Sequence, residues 1–127
     1  MRYRFDTEAP IIVLRVTLVG EEIEKKIDMA LDTGATYTMV PWDIAEVLGY
    51  KPELSKERVP MITASGVEKA PLIALKSLNV LGMTAHSIKT IVHDLPEKSY
   101  VDGLLGLSFL KRFKLSLDFR NGILELE

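Results

Sequence analysis

Asp32, Thr33 and Gly34 are the residues of this chain best placed to do chemistry. They follow Ile27-Asp28-Met29-Ala30-Leu31, which alternates and then turns fully apolar. They precede Ala35-Thr36-Tyr37-Thr38-Met39-Val40, which resumes extended character. A carboxylate at the mouth of an apolar strand can be held firmly and still be approached. The threonine hydroxyl can lock the loop by hydrogen bonds, and a glycine, lacking Cβ, lets backbone N–H groups come close to the carboxylate. Two carboxyl groups held about 3 Å apart cannot both ionise readily, so one pKa falls, the other rises and the pair shares a proton. The ionised member can take a proton from a bound water while the protonated member gives one to a carbonyl oxygen. The two pKa values then belong to the pair and not to either residue. Asp-Thr-Gly occurs once in the chain. A mechanism that needs two such carboxylates has to draw the second from another copy.

The elements that must position this tripeptide read mostly with a period of two, broken by turn signals at short intervals. Ile11 to Val19 reads as a strand closed by Gly20-Glu21-Glu22, and Ile23 to Leu31 returns to deliver Asp32. Pro41 opens a short helix through Leu48, and Gly49 stops it. Arg58 to Ala64 and Val67 to Leu72 form two extended arms around Ser65-Gly66, a hairpin signal. Strands Ile73 to Leu81 and Thr84 to Val92 follow, joined at Gly82-Met83. Leu107 through Phe113 has helical spacing, and Asn121-Gly122 joins strands over Lys114 to Phe119 and Ile123 to Leu126. With no internal repeat, linker or low-complexity segment, residues 1–127 read as a single all-β domain with one or two short helices.

Composition removes several classes of function. The chain of 127 residues is 47% hydrophobic and has no cysteine, which excludes disulfides, thiol catalysis and cysteine-based zinc sites. Net charge is −2 with the two signs interspersed, and the densest basic cluster, Lys111-Arg112 with Lys114, is too short for a nucleic-acid face. No apolar run approaches the ~20 residues that cross a bilayer, and Met1 to Asp6 lacks the apolar centre of a signal peptide. The expectation is a cytoplasmic protein that binds neither nucleic acid nor membrane. His86 and His93, seven apart, fall on opposite faces of a strand, so no metal site and no cofactor are expected.

Asp32-Thr33-Gly34-Ala35, followed about seventy residues later by Leu104-Leu105-Gly106 leading into a helix, resembles the retropepsin-like aspartic proteases, single-lobe relatives of pepsin. Leu104 to Arg112, with Ser116-Leu117-Asp118 and Asn121-Gly122-Ile123-Leu124, is similar to the cellular and prokaryotic retropepsin-like proteins more than to the viral ones. The likeness runs from about Ile11 to the C-terminus. It implies a closed, mostly β acid-protease barrel, active as a homodimer on peptides or unfolded proteins, with Asp32 as the catalytic aspartate. It also implies that Thr33 braces the partner's loop across the two-fold axis and that Gly34 lies beneath the dyad. Leu104, Leu105 and Gly106 match the element that supports the loop from behind. Ile62, Thr63, Ala64, Ser65, Gly66 and Val67 match the tip of a flap, which would pair with an extended substrate by strand addition and exclude water. Viral members often carry an acid where this chain has Tyr37, and many cellular members carry one where it has Ser108.

The function expected is therefore hydrolysis of peptide bonds by a water activated between the Asp32 residues of two subunits. The alternative is a dimeric peptide-binding module that keeps the fold without catalysis. A glycosidase is disfavoured, because its two acids stand about 5 Å or more apart on one scaffold. Asp28 and Asp118 read as solvent-facing strand positions, and Asp102 as a turn residue. Ile62, Val67, Val101 and Leu104 are expected to wall the cleft. Isologous pairing is expected to use Ile123 to Leu126 and Arg2 to Phe5 as interface strands.

Overall fold

Strict alternation drives the first long hairpin. Leu14, Val16 and Leu18 point inward and are buried, while Arg15 between them stands in solvent. In the computed structural model, which describes residues 1–127, the elements run in the following order. Strands β1 (Arg2–Arg4), β2 (Val13–Val19), β3 (Glu24–Leu31) and β4 (Thr38–Val40) precede helix α1 (Trp42–Val47) and a 3₁₀ turn over Pro52–Leu54. Strands β5 (Arg58–Thr63), β6 (Gly66–Val80), β7 (Met83–Val92) and β8 (Gly103–Leu105) come next. Helix α2 (Leu107–Leu110), β9 (Leu115–Asp118) and β10 (Ile123–Leu126) close the chain.

The main sheet runs β2-β3-β8-β4-β7-β6-β5, and β6 returns to pair with β2, so its first six strands close into a barrel. Its interior is filled by side chains such as Leu18, Met29, Leu75, Ile88, Leu105 and Phe109, all shielded from solvent. The all-β barrel with two short helices is the architecture read from the sequence. A second, three-stranded sheet, β1-β10-β9, packs Leu124 and Leu126 onto the same core.

Several boundaries differ from the sequence reading. The arms expected separately over Val67–Leu72 and Ile73–Leu81 are one strand, β6. Pro71 does not break it, because that is where β6 leaves its pairing with β5 and takes up β7. At such a junction a missing N–H costs no ladder bond. Strand β2 starts at Val13 and not Ile11. Helix α2 ends at Leu110, since Arg112 and Phe113 donate to carbonyls only three residues back and tighten the turn. The ring of Phe113 nevertheless lies 4.9 Å from that of Phe109. The C-terminal strand is also not a free interface strand. β10 has β1 on one side and β9 on the other, so both of its edges are already hydrogen-bonded within the chain.

Candidate active site

The loop carrying Asp32 is fixed by threading β8 between the strands on either side of it. β8 pairs parallel to β3, with Leu31 opposite Leu105, and antiparallel to β4, with Met39 opposite Leu104. The Asp32 N–H donates to the Leu105 carbonyl at 3.0 Å, and the N–H groups of Leu107 and Ser108 donate to the carbonyls of Ala35 and Thr36 at 2.8 and 3.0 Å. This close crossing requires glycine at its exit. A Cβ on Gly106 would lie 2.4 Å from the Tyr37 carbonyl oxygen, and one on Gly103 would lie 2.3 Å from that of Met39. Leu104, Leu105 and Gly106 thus lie directly behind the aspartate loop.

Asp32 itself is half-buried. Its Oδ1 accepts from the Gly34 N–H at 3.0 Å, and its carbonyl accepts from the Ala35 N–H at 3.2 Å. A Cβ on Gly34 would press on Oδ1 at 3.3 Å, so the smallest residue sits where the carboxylate is gripped. Thr33 and Gly34 are exposed. The loop therefore turns one carboxylate oxygen into its own backbone and presents its hydroxyl-bearing side outward.

Ser108, singled out in the sequence as a departure from an acid, joins Thr38, which the sequence reading missed, in supporting the loop. Thr38 is fully buried. Its N–H donates to Ser108 Oγ at 2.9 Å, the Ser108 hydroxyl donates to Thr38 Oγ1 at 3.0 Å, and the Gly106 N–H donates to the same Oγ1 at 3.2 Å. Two hydroxyls tie both ends of the crossing together. The signal available was a threonine on the inward phase of β4, which packing alone would have filled with an aliphatic residue.

A hairpin made by β5 and the first part of β6 overhangs the loop. Ile62 pairs with Val67 and Thr63 with Gly66, leaving Ala64 and Ser65 as the turn. Thr63 Oγ1 donates to the Gly66 carbonyl at 3.0 Å and accepts from the Ser65 N–H at 3.2 Å, while Gly66 adopts φ +119. Ile62 and Val67 are 90% and 70% exposed, an apolar pair held out in solvent at the tip. Val59 and Met61, on the opposite phase, face inward. With Ala35 and Tyr37 from the loop, and Met39, Ile91 and Leu104 beneath, they line an apolar depression of about 250 Å³. Of the walls expected from the sequence, Leu104 lines this depression. Val101 lies away from it, beside Trp42 and Asp94, and Ile62 and Val67 point outward because Val59 and Met61 take the inward phase of β5. On its other side, Leu31 and Thr33 border a second depression of about 340 Å³ with Phe5, Ile11, Leu117 and Phe119.

Asp28, Asp102 and Asp118 serve structural contacts. Asp28 and Asp102 exchange backbone and side-chain hydrogen bonds, and Asp28 also pairs with Arg15 at 3.3 Å. Asp118 caps the turn before β10, accepting from the Asn121 side chain at 2.8 Å and backbone at 3.0 Å; these bonds hold its carboxyl below the ordinary value. Tyr50 donates to the Val19 carbonyl at 3.1 Å and accepts from the Lys76 N–H at 2.7 Å, and burial raises its phenol pKa. His93 meets Glu68 at 3.2 Å, and Arg112 donates to the carbonyls of His86 and Ser87.

A closed β-barrel with an Asp-Thr-Gly loop, a strand threaded behind it and a hairpin above defines a retropepsin-like aspartic protease fold. Residues 22–112 match the family described as "gag-polyprotein putative aspartyl protease", and the chain belongs to it. A crystal structure of a retropepsin-like aspartic protease from Rickettsia conorii superposes with a TM-score of 0.74 at 26% identity, over 99% of this chain and 88% of that one. The solution structure of the simian foamy virus (mac) protease shares the fold, with a TM-score of 0.53 at 21% identity, over 78% of this chain and 91% of that one. No match is found among curated proteins.

Proposed function

We propose that the chain is an aspartic endopeptidase that works as a homodimer, with a water activated between the two Asp32 carboxylates. The observation that carries the proposal is the setting of Asp32. It is gripped through one oxygen by the Gly34 N–H, backed by the buried Thr38–Ser108–Gly106 network and overhung by a hairpin. In the proposed reaction the ionised carboxylate takes a proton from the water as the water attacks the amide carbon. The protonated carboxyl gives its proton to the carbonyl oxygen, forming a tetrahedral diol. Collapse of the diol transfers a proton to the amide nitrogen and releases an amine and an acid. No covalent enzyme species forms.

The substrate in this reading is an extended peptide or an unfolded segment, running between the hairpin and the loop by strand pairing. An apolar side chain near the scissile bond enters the depression lined by Met39, Met61, Ile91 and Leu104. Tyr37 stands at its rim where an acid would anchor a polar group, which favours apolar over charged side chains there. The proposal includes a cytoplasmic location, which cell fractionation tests.

The decisive experiment compares wild type with Asp32→Asn on a peptide library at acidic to neutral pH. Loss of cleavage by at least about a thousandfold, with folding and self-association retained, is the expected result. Undiminished cleavage by the variant overturns the assignment.

A further inference from the structure

Three strands leave an edge unpaired in the chain: β5 in the overhanging hairpin, and β1 and β9 at the two sides of the small sheet. The hydrogen-bond phase of β9 follows from its contact with β10. Lys114 and Glu127 exchange both backbone bonds, at 2.8 and 3.0 Å, so Ser116 with Glu125 and Asp118 with Ile123 are the next bonded pairs along the register. The N–H and C=O groups of Leu115 and Leu117 therefore point away from β10, toward the open edge. They are backbone donors and acceptors in search of a strand.

We infer that two copies of the chain join edge to edge through β9, antiparallel, with Ser116 facing Ser116 of the second copy across a two-fold axis. The inference rests on the dimeric reading of the active site and names the strand and register that build it. In this register Leu115 and Leu117 exchange backbone bonds with Leu117 and Leu115 of the second copy, which is the phase their free groups demand. Lys114 falls opposite Asp118 of the second copy, and Asp118 opposite its Lys114, so both ends of the joint carry opposite charges. The edge of β1 offers no such match. Its outward backbone groups belong to Arg2 and Arg4, which self-pairing would set cation against cation.

The apolar surface continues from this edge to the active-site loop. Leu117 borders the same depression as Thr33, and Phe119, 66% exposed, lies beside it against Phe5 with ring centroids 6.2 Å apart. An axis through Ser116 thus covers the face that carries Thr33 and leaves the overhanging hairpin free. The outcome is one continuous six-stranded sheet, β1-β10-β9 followed by its copy in reverse, under the two aspartate loops.

Because the chain has no cysteine, Ser116→Cys introduces a single thiol. At a non-bonded antiparallel pair the Cα atoms lie about 4.5 Å apart, within the reach of a disulfide. Mild oxidation should convert this variant to a covalent dimer that still cleaves peptide, whereas Lys89→Cys, on the exposed side of β7, should stay uncrosslinked. Asp118→Lys alone should weaken the dimer in sedimentation equilibrium. Adding Lys114→Glu should recover about tenfold in dissociation constant, both variants lacking the Asn121 cap alike. A Ser116→Cys protein that sediments as an active dimer but does not crosslink overturns the β9 joint and leaves the two-carboxylate reading intact. An active protein that sediments as a monomer overturns both.

Discussion

At the scale of the residue, the site depends on small groups set where larger ones would collide. Gly106 is the sharpest case, since the Tyr37 carbonyl that a Cβ would strike belongs to the backbone and cannot swing aside. Gly106→Ala should destabilise the fold by about 3 kcal/mol and disturb the Asp32 loop, measured by urea unfolding alongside activity. Thr38→Val keeps the volume but removes the acceptor of the Gly106 N–H and of the Ser108 hydroxyl. Leaving the buried Gly106 N–H unpaired should cost about 1–3 kcal/mol and lower turnover through the Asp32 loop. An unchanged unfolding midpoint for Thr38→Val would show that the hydroxyl pair adds nothing beyond packing.

At the scale of the element, the hairpin and the β9–β10 turn each depend on one side chain. Thr63 Oγ1 bonds both the carbonyl and an N–H across the hairpin turn, so Thr63→Val should loosen the tip. On the proposed reading of the hairpin as the strand that pairs with substrate, the expected signature is a KM raised about three- to tenfold with kcat changed less. Asp118 sets a pH dependence. Its side-chain and backbone bonds from Asn121 favour the charged form and lower its folded pKa. The stabilisation is thus complete above the unfolded carboxylate value of about 3.9 and is lost as pH falls through the lower folded value. Melting temperature should drop more steeply below about pH 4 for wild type than for Asp118→Asn, and the turn should remain capped at the mildly acidic pH where a shared-proton dyad works.

At the scale of the whole molecule, the proposed two-carboxylate mechanism, with one Asp-Thr-Gly per chain, makes assembly a requirement for activity. Specific activity should fall on dilution as dimers dissociate, with a midpoint that matches the dissociation constant from sedimentation. Mixing wild type with an equal amount of Asp32→Asn should leave about half the wild-type activity, because mixed dimers form at the expense of intact ones and carry a single working carboxylate. Full retention of activity in the mixture, with subunit exchange verified, would mean that each chain acts alone.

Much of this protein is legible in its sequence because strand periodicity and turn chemistry are local. Alternating Leu14, Val16 and Leu18 fix an inward face, Asn121-Gly122 fixes a turn, and Asp32-Thr33-Gly34 with Leu104-Leu105-Gly106 marks the aspartate loop and its support. Local pattern also misleads where partners change along a strand. Val67 to Leu72 and Ile73 to Leu81 read as two segments and are one strand that changes neighbours at Pro71, and Ile123 to Leu126 reads as an interface strand and is the central strand of the small sheet. Thr38 and Ser108, 70 residues apart, meet only because β8 passes between β3 and β4, and the local pattern around neither residue shows the contact. The sequence singled out Asp32 as the candidate carboxylate. The tertiary structure decided what holds it and which strand edge is left open, because both depend on long-range pairing that closes the barrel around a thread of three residues.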